Sequence, residues 1–190
     1  MTTRSEQKEI RRKQIFTVAL DLFIQKGFAA TKISDIANAV GMSVGLLFHY
    51  FDSKERLYEE LVQRGGAKSQ SIMNANNSEP LAFFENITEL ILGRAKNDPF
   101  AAKMFVLMSQ ASNNDFLPEE IRIHLKQDSF HKSAKIIRAG QLDGTIREGD
   151  PLALSVAFWA AIQGVCQVVA LDVDLPFPES DWIVDIIRKK

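Results

Sequence analysis

One cysteine, three histidines and six prolines stand in a chain of 190 residues. Cys166 has no second cysteine to pair with, which excludes an internal disulfide and fits a reducing cytoplasm. It lies in an apolar stretch, where a small core residue is expected in preference to a redox sensor. The histidines are too few and badly spaced for a metal site: His124 and His131 are seven apart, and no cysteine or third histidine completes a set. There is no glycine-rich phosphate loop and no nucleophile elbow, so an enzyme reading has nothing to carry it, and no cofactor is expected. Residues 1–14 are polar and basic, unlike a signal peptide. The most apolar stretch, 152–171, is interrupted by Ser155, Gln163 and Gln167, so no membrane span is expected. No pair of alternating strands is present. The net charge of −1 argues against a general nucleic-acid coat.

What is present is an ordinary globular composition, 46% hydrophobic and 25% charged, sized for one or two domains. The charge is unevenly placed. Residues 1–54 carry eight Lys/Arg against five Asp/Glu, and the remainder fifteen against nineteen. A basic module on a neutral to acidic body is the pattern of a protein that touches DNA at one end. Helical periodicity runs through the chain. Ile15, Ala19, Leu22 and Phe23 mark a first helix over 5–26, ended by Gly27. Arg4, Lys8, Arg11, Arg12 and Lys13 near its start read equally as a solvated face or as phosphate contacts. A helix is expected over 79–97. Asp98-Pro99 and Asp150-Pro151 each give a cap followed by proline at the first helical position, starting helices over 99–111 and 151–171. Pro118 opens a further helix to about Ala139, and a short one follows Pro178. The expectation is all-α, about nine helices.

Residues 31–57 concentrate the chemistry. Thr31 is a cap candidate for a short helix whose apolar face is Ile33, Ile36, Ala37 and Val40. Gly41 sits where a left-handed residue ends a helix. Ser43 is an N-cap candidate for a second helix, Val44 to Tyr50, held to the core by Leu47 and Phe51. Two helices joined by a glycine-containing turn of three or four residues make a helix-turn-helix. The outward side carries Ser43, Val44, Gly45, Phe48, His49 and Tyr50. Gly45 costs roughly 1 kcal/mol against Ala in a helix, and permits close approach of backbone to a ligand. Lys54 follows Ser53, itself an N-cap candidate for the next helix, and suits phosphate. The bland alternative is a generic helical hairpin, which apolar spacing alone does not distinguish.

Thr31, Ile36-Ala37, Gly41-Met42-Ser43, Gly45, the Leu47–Phe51 run LFHYF, Ser53-Lys54-Glu55 and Leu57 together resemble the signature of the TetR family of bacterial transcriptional regulators. The likeness is strong over about residues 10–60. Beyond them, the run GDPLALSVAFWAAIQG is similar to the penultimate helix of many members. The resemblance implies DNA contacts at Thr31, Ser43, Val44, Gly45, Phe48, His49, Tyr50 and Lys54. Phe48 departs from the common Tyr and loses a phosphate donor, leaving apolar contact with a thymine methyl. Tyr50 stands where His is frequent. His49 has a solvated role or a donor role beside phosphate.

The expected organisation is a helix-turn-helix DNA-binding domain over 1–53 and a regulatory and dimerisation domain over 54–190. The stretch 151–171 is apolar nearly all round, so it is buried on more than one side. Packing within one domain suffices to explain this, and a dimer seam through Ala157, Ala161, Gly164 and Val168 explains it as well. The resemblance implies dimerisation through the last two long helices, here 151–171 and 178–190, and a ligand cavity in the C-terminal body. Phe105, Met108, Phe130 and Phe158 are the lining candidates, with Phe84, Met104 and Trp159; each is also ordinary core. Gln110, His131 and Gln163 are polar candidates on the same faces. The partners implied are a palindromic double-stranded operator, a second copy of the chain and a small hydrophobic or aromatic ligand. The function implied is that of a homodimeric repressor released by the ligand. The alternative is a constitutive or partner-controlled regulator without a small-molecule switch.

Overall fold

The computed structural model describes residues 3–73, 79–111, 115, 117, 119, 122, 129–171 and 175–190. Among them are nine helices: α1 (Arg4–Lys26), α2 (Ile33–Val40), α3 (Val44–Phe48), α4 (Lys54–Met73), α5 (Pro80–Asn97), α6 (Pro99–Ala111), α7 (Ser129–Asp143), α8 (Pro151–Leu171) and α9 (Ser180–Val184). The described residues contain no strand, only one isolated antiparallel bridge between Ile146 and Arg188. The all-α expectation therefore holds. The start of the helix expected from Pro118, His124 and the loop expected at 74–78 lie outside the described residues.

Local chemistry places the helix ends. The Thr3 N–H donates to Glu6 Oε2 at 2.7 Å while the Glu6 N–H donates to Thr3 Oγ1 at 3.2 Å, a reciprocal cap for α1. Gly27, at φ +79°, ends α1 and donates its N–H to the Phe23 carbonyl. Asp98 Oδ1 accepts from the Phe100 N–H ahead of α6, and Asp150 Oδ1 from the Ala153 N–H ahead of α8. Both cap-plus-proline signals thus act as read.

Two cores form. The first gathers Ile15, Phe16, Ala19, Leu20 and Phe23 of α1, Ile36, Ala37, Leu47 and Phe51, and Leu57, Tyr58, Leu61 and Val62 of α4. The second gathers Phe83, Phe84 and Ile87 of α5 with Ile137, Phe158, Ile162 and Cys166. The helix α6 serves both: Leu107 and Ala111 enter the first, Ala102 and Val106 the second. The first core therefore runs past residue 53, closed by α4 and α6. Where α4 meets α6, Gly65 makes room: a Cβ there would stand 2.5 Å from Met108 Sδ and 2.9 Å from Met104 Cε. In the second core Phe84 meets Phe158 edge-on at 4.9 Å. Polar groups in this core are paired: Trp159 Nε1 donates to Ser133 Oγ, and Ser155 Oγ to the Phe130 carbonyl, each at 2.9 Å. Burial pushes the Cys166 thiol up to about 12, so it stays a protonated core residue.

The chain end folds back on the body. The Arg147 N–H donates to the Ile187 carbonyl and the Lys189 N–H to that of Thr145, pinning the α7–α8 connection. Arg188 ties Glu85, Asp181 and Asp185 together at 2.7–2.9 Å.

Candidate nucleic-acid interface

The turn between α2 and α3 is set by Gly41, whose φ of +73° and ψ of +42° are left-handed. Ser43 then caps α3, its Oγ accepting from the Leu46 N–H at 3.2 Å. Residues 43–47 fall where the spacing predicts them, with Leu47 fully buried and Phe51 nearly so. The helix is shorter than expected. It ends at Phe48, with His49 as C-cap and Tyr50 in the following turn. Beyond its end a tertiary contact takes over: Arg12 donates to the Tyr50 carbonyl at 2.9 Å, pairs with Glu60, and lays its guanidinium 4.4 Å from the Phe51 ring. Arg12 thus leaves the cluster of candidate phosphate contacts and becomes a clamp joining α1, α3 and α4. Phe16 supports the same ring edge-on at 5.1 Å.

At about 100° per residue, with Leu47 pointing inward, Gly45 and His49 form the outermost ridge of α3. Leu46 and Phe48 flank it and are 44% and 45% exposed. An added Cβ on Gly45 would meet nothing within 4 Å, so the centre of this ridge is open. Val44 and Tyr50 are half-buried at its two ends. Leu46 was not among the residues singled out from the sequence. Its neighbour Leu47 takes the core position, and helical geometry alone then forces Leu46 outward.

Two expected contact residues stand behind this face. The Thr31 side chain is fully buried, and its hydroxyl donates to the Gly27 carbonyl at 2.7 Å, with Leu22 O at 3.2 Å. It does not cap α2, contrary to the sequence expectation. Lys32 occupies the N-cap place, its N–H held by Asp35 Oδ2 at 3.3 Å. That N–H, and then Lys26, hold the Asp35 carboxyl below its ordinary value. Lys54 Nζ donates to the Phe28 and Thr31 carbonyls at 2.8 Å each and sits 4.1 Å from the Phe28 ring centre. Two of its three donors are thereby committed inside the head. Ser53 Oγ accepts from the Arg56 N–H and starts α4.

Residues 15–61 match the family model described as bacterial regulatory proteins, tetR family. The HTH-type transcriptional regulator RutR of Escherichia coli strain K12 is 30% identical over 162 residues, 84% of this chain and 76% of that protein. The chain belongs to the TetR family. The HTH-type transcriptional repressor KstR2 of Mycolicibacterium smegmatis is 37% identical over 147 residues, 74% of this chain and 70% of that one. Among solved structures, the MbdR regulator from Azoarcus sp. CIB matches with a TM-score of 0.73 at 19% identity, covering 93% of this chain and 96% of that one, a likeness of fold. The helix-turn-helix of this TetR-family transcriptional regulator is its DNA-binding element.

The body of this TetR-family protein distributes the remaining candidates unevenly. Phe158 is fully buried in the second core, and Phe105 packs against that core. Met108 packs against the first core, and Phe130 is 43% exposed. The four ligand candidates therefore divide between two cores and the surface. Gln110 and His131 are exposed, while Gln163 Nε2 donates to Ser109 Oγ at 2.6 Å. On α8, Ala157, Gly164 and Val168 are exposed, whereas Ala161 leans on the second core and Ala160 takes the outward place. The segment 178–190 is not a second long helix: α9 has 5 residues and buries Ile183 and Val184 in the body. The helices that pack along α8 are α6 and α7. By length and composition α8 is apolar enough to cross a membrane, although Ser155, Phe158, Ile162, Cys166 and Val169 on one side of it are buried.

Proposed function

We propose that this TetR-family regulator is a homodimeric repressor that holds a palindromic operator and releases it when a small apolar ligand enters the body. The observation that carries the dimer is the solvent face of α8. Leu152, Val156, Val168 and Leu171 are 37–67% exposed there, with exposed Ala157, Ala160 and Gly164 between them. The helix has no charged residue over its 21 positions. Such a stripe, about 30 Å long, is covered by a second copy of itself about a two-fold axis, small residues letting the backbones close. A two-fold protein matches a palindromic site, one head per half-site. Ser43, Gly45, Leu46, Phe48 and His49 then face DNA, with Val44 and Tyr50 at the edge where that face meets the first core, while Thr31 and Lys54 set its angle. The same reading places the protein in the bacterial cytoplasm and gives α8 a protein partner in place of a membrane.

Support for the switch comes from α6. It shares side chains with both cores and seats Met104 and Met108 against Gly65 of α4. A ligand wedged beside Phe105 or Met108 displaces α4 only so far as it prefers the displaced state. The dispersal of Phe105, Met108, Phe130 and Phe158 favours the second reading, a regulator without a small-molecule switch.

The test is selection of duplexes from random DNA by the full-length protein, with its mass followed by light scattering. A palindromic consensus and a two-chain mass are expected. A monomer at micromolar concentration that binds each half-site independently overturns the dimer. A thermal-shift screen of hydrophobic compounds, each hit then competed with operator, decides between the two readings. Ligands that raise stability and lose affinity on operator mark the switch.

A further inference from the structure

We propose that this protein reads thymine methyl groups through Leu46 and Phe48, the two apolar walls of the open ridge at Gly45. The inference rests on the DNA-binding role of α3 and specifies the chemistry of its readout. At about 100° per residue, Leu46 and Phe48 project to opposite sides of the ridge that Gly45 and His49 crown. Each is nearly half exposed, at 44% and 45%. Neither has a donor or an acceptor, so neither reads a base by hydrogen bonding. The only apolar group at the floor of the major groove is the thymine C5-methyl. Between the walls, the space above Gly45 is empty to 4 Å, so the helix can settle until its flanking side chains touch the groove floor.

The frame around the ridge is rigid. Leu47 and Phe51 are buried, Ser43 caps one end, and Arg12 clamps the other through the Tyr50 carbonyl. Leu46 and Phe48 therefore meet the groove in a fixed orientation and address separate base pairs. The exposed cations of the head, Arg4, Lys8, Lys13 and Lys32, supply attraction to the phosphates. Sequence preference then falls on T·A pairs and comes from apolar contact, while orientation and salt dependence come from the phosphates.

The experiment uses the operator selected by the full-length protein. Each thymine is replaced in turn by deoxyuridine, which removes the methyl and keeps the pairing. Affinity is expected to fall about fourfold at a thymine under either wall, the loss of one buried methyl. In Leu46→Ala the effect of one such replacement disappears, and in Phe48→Ala the effect of another. Both variants keep the wild-type slope of affinity against salt, because no phosphate contact is removed. The positions are exposed, and circular dichroism checks the fold; the deoxyuridine series on the wild-type protein stands independently of either variant. Equal binding of every deoxyuridine duplex overturns the proposal, as does a methyl effect that survives in both variants. Failure to select any DNA overturns the DNA-reading role itself, a result distinct from an operator that binds but ignores its methyls.

Discussion

The helices α3 and α8 both show apolar side chains to solvent, and they differ in nearly everything else. The helix α3 has five residues, an open glycine on its outermost ridge and charged clamps behind it. The helix α8 has 21 residues, no charge, and an exposed stripe with branched side chains at its ends and small ones between. An exposed apolar face is therefore not one signal. On a short helix clamped from behind in a helix-turn-helix, it fits the floor of a groove. On a long uncharged helix whose other side is core, it fits a copy of itself.

The largest effect expected is at the α8 face. Gly164 is exposed, and a Cβ added there meets nothing within 4 Å, so Gly164→Glu leaves the protomer fold intact. It would nevertheless bring two carboxylates together across a two-fold seam, which costs several kcal/mol if both are desolvated. Light scattering should show a single-chain mass with unchanged helical content, and affinity for a palindrome should fall at least a hundredfold. Retention of the two-chain mass would place the seam elsewhere and erase the contrast with α3.

The next effect concerns the clamps. Arg12→Ala removes a partly buried guanidinium that serves a carbonyl, a carboxylate and a ring, and about 1–3 kcal/mol of head stability should be lost. Lys54→Met, which keeps the apolar stem, should cost about 1–2 kcal/mol by leaving the Phe28 and Thr31 carbonyls without their donor. Denaturant melts measure both. The comparison sharpens through DNA: either change should weaken binding to all sequences alike, with the base preference of α3 retained. A new preferred base in Lys54→Met would show that Lys54 touches bases directly.

The smallest effect is set by pH. Asp35 is held below its ordinary value of 3.8, chiefly by the Lys32 N–H and then by Lys26. A carboxyl depressed in the folded state adds stability above 3.8 and loses it as pH falls through the lower folded value. The difference in melting temperature between wild type and Asp35→Asn should therefore be present at pH 6 and shrink below about pH 4. A difference that grows on acidification would mean that the carboxylate is not what holds α2.

Local chemistry was the legible part. Gly41, Ser43, the Asp98-Pro99 and Asp150-Pro151 starts and the buried pair Leu47 and Phe51 act within a few residues of themselves, and each is found where the spacing puts it. The Thr3–Glu6 cap was equally local, a Thr followed three residues later by Glu, and passed unread. What was illegible depends on distant partners. Nothing near Lys54 in the chain announces that the carbonyls of Phe28 and Thr31 will turn toward it, nor that Arg12 will reach Tyr50 across 38 positions. Composition made α8 apolar all round and so predicted burial on more than one side; within the protomer only one side is buried. Its companions were not legible, because nothing in the local sequence announces that α6 and α7 will pack along it while Arg188 ties the chain end to Glu85, 103 residues away.

The double allegiance of α6 has a consequence for anyone who would recombine such proteins. A head cut out at residue 53 leaves behind Leu57, Tyr58, Leu61 and Val62, and with them Leu107 and Ala111, all of which line its interior. Grafted onto a foreign body, that fragment inherits an unsealed core whose missing wall must be supplied by whatever helix the new host offers. Moving the cut beyond Leu117 seals that core, but it carries Phe83, Phe84, Ile87, Ala102 and Val106 away from the second one, so a transplanted reader of DNA brings most of its body with it.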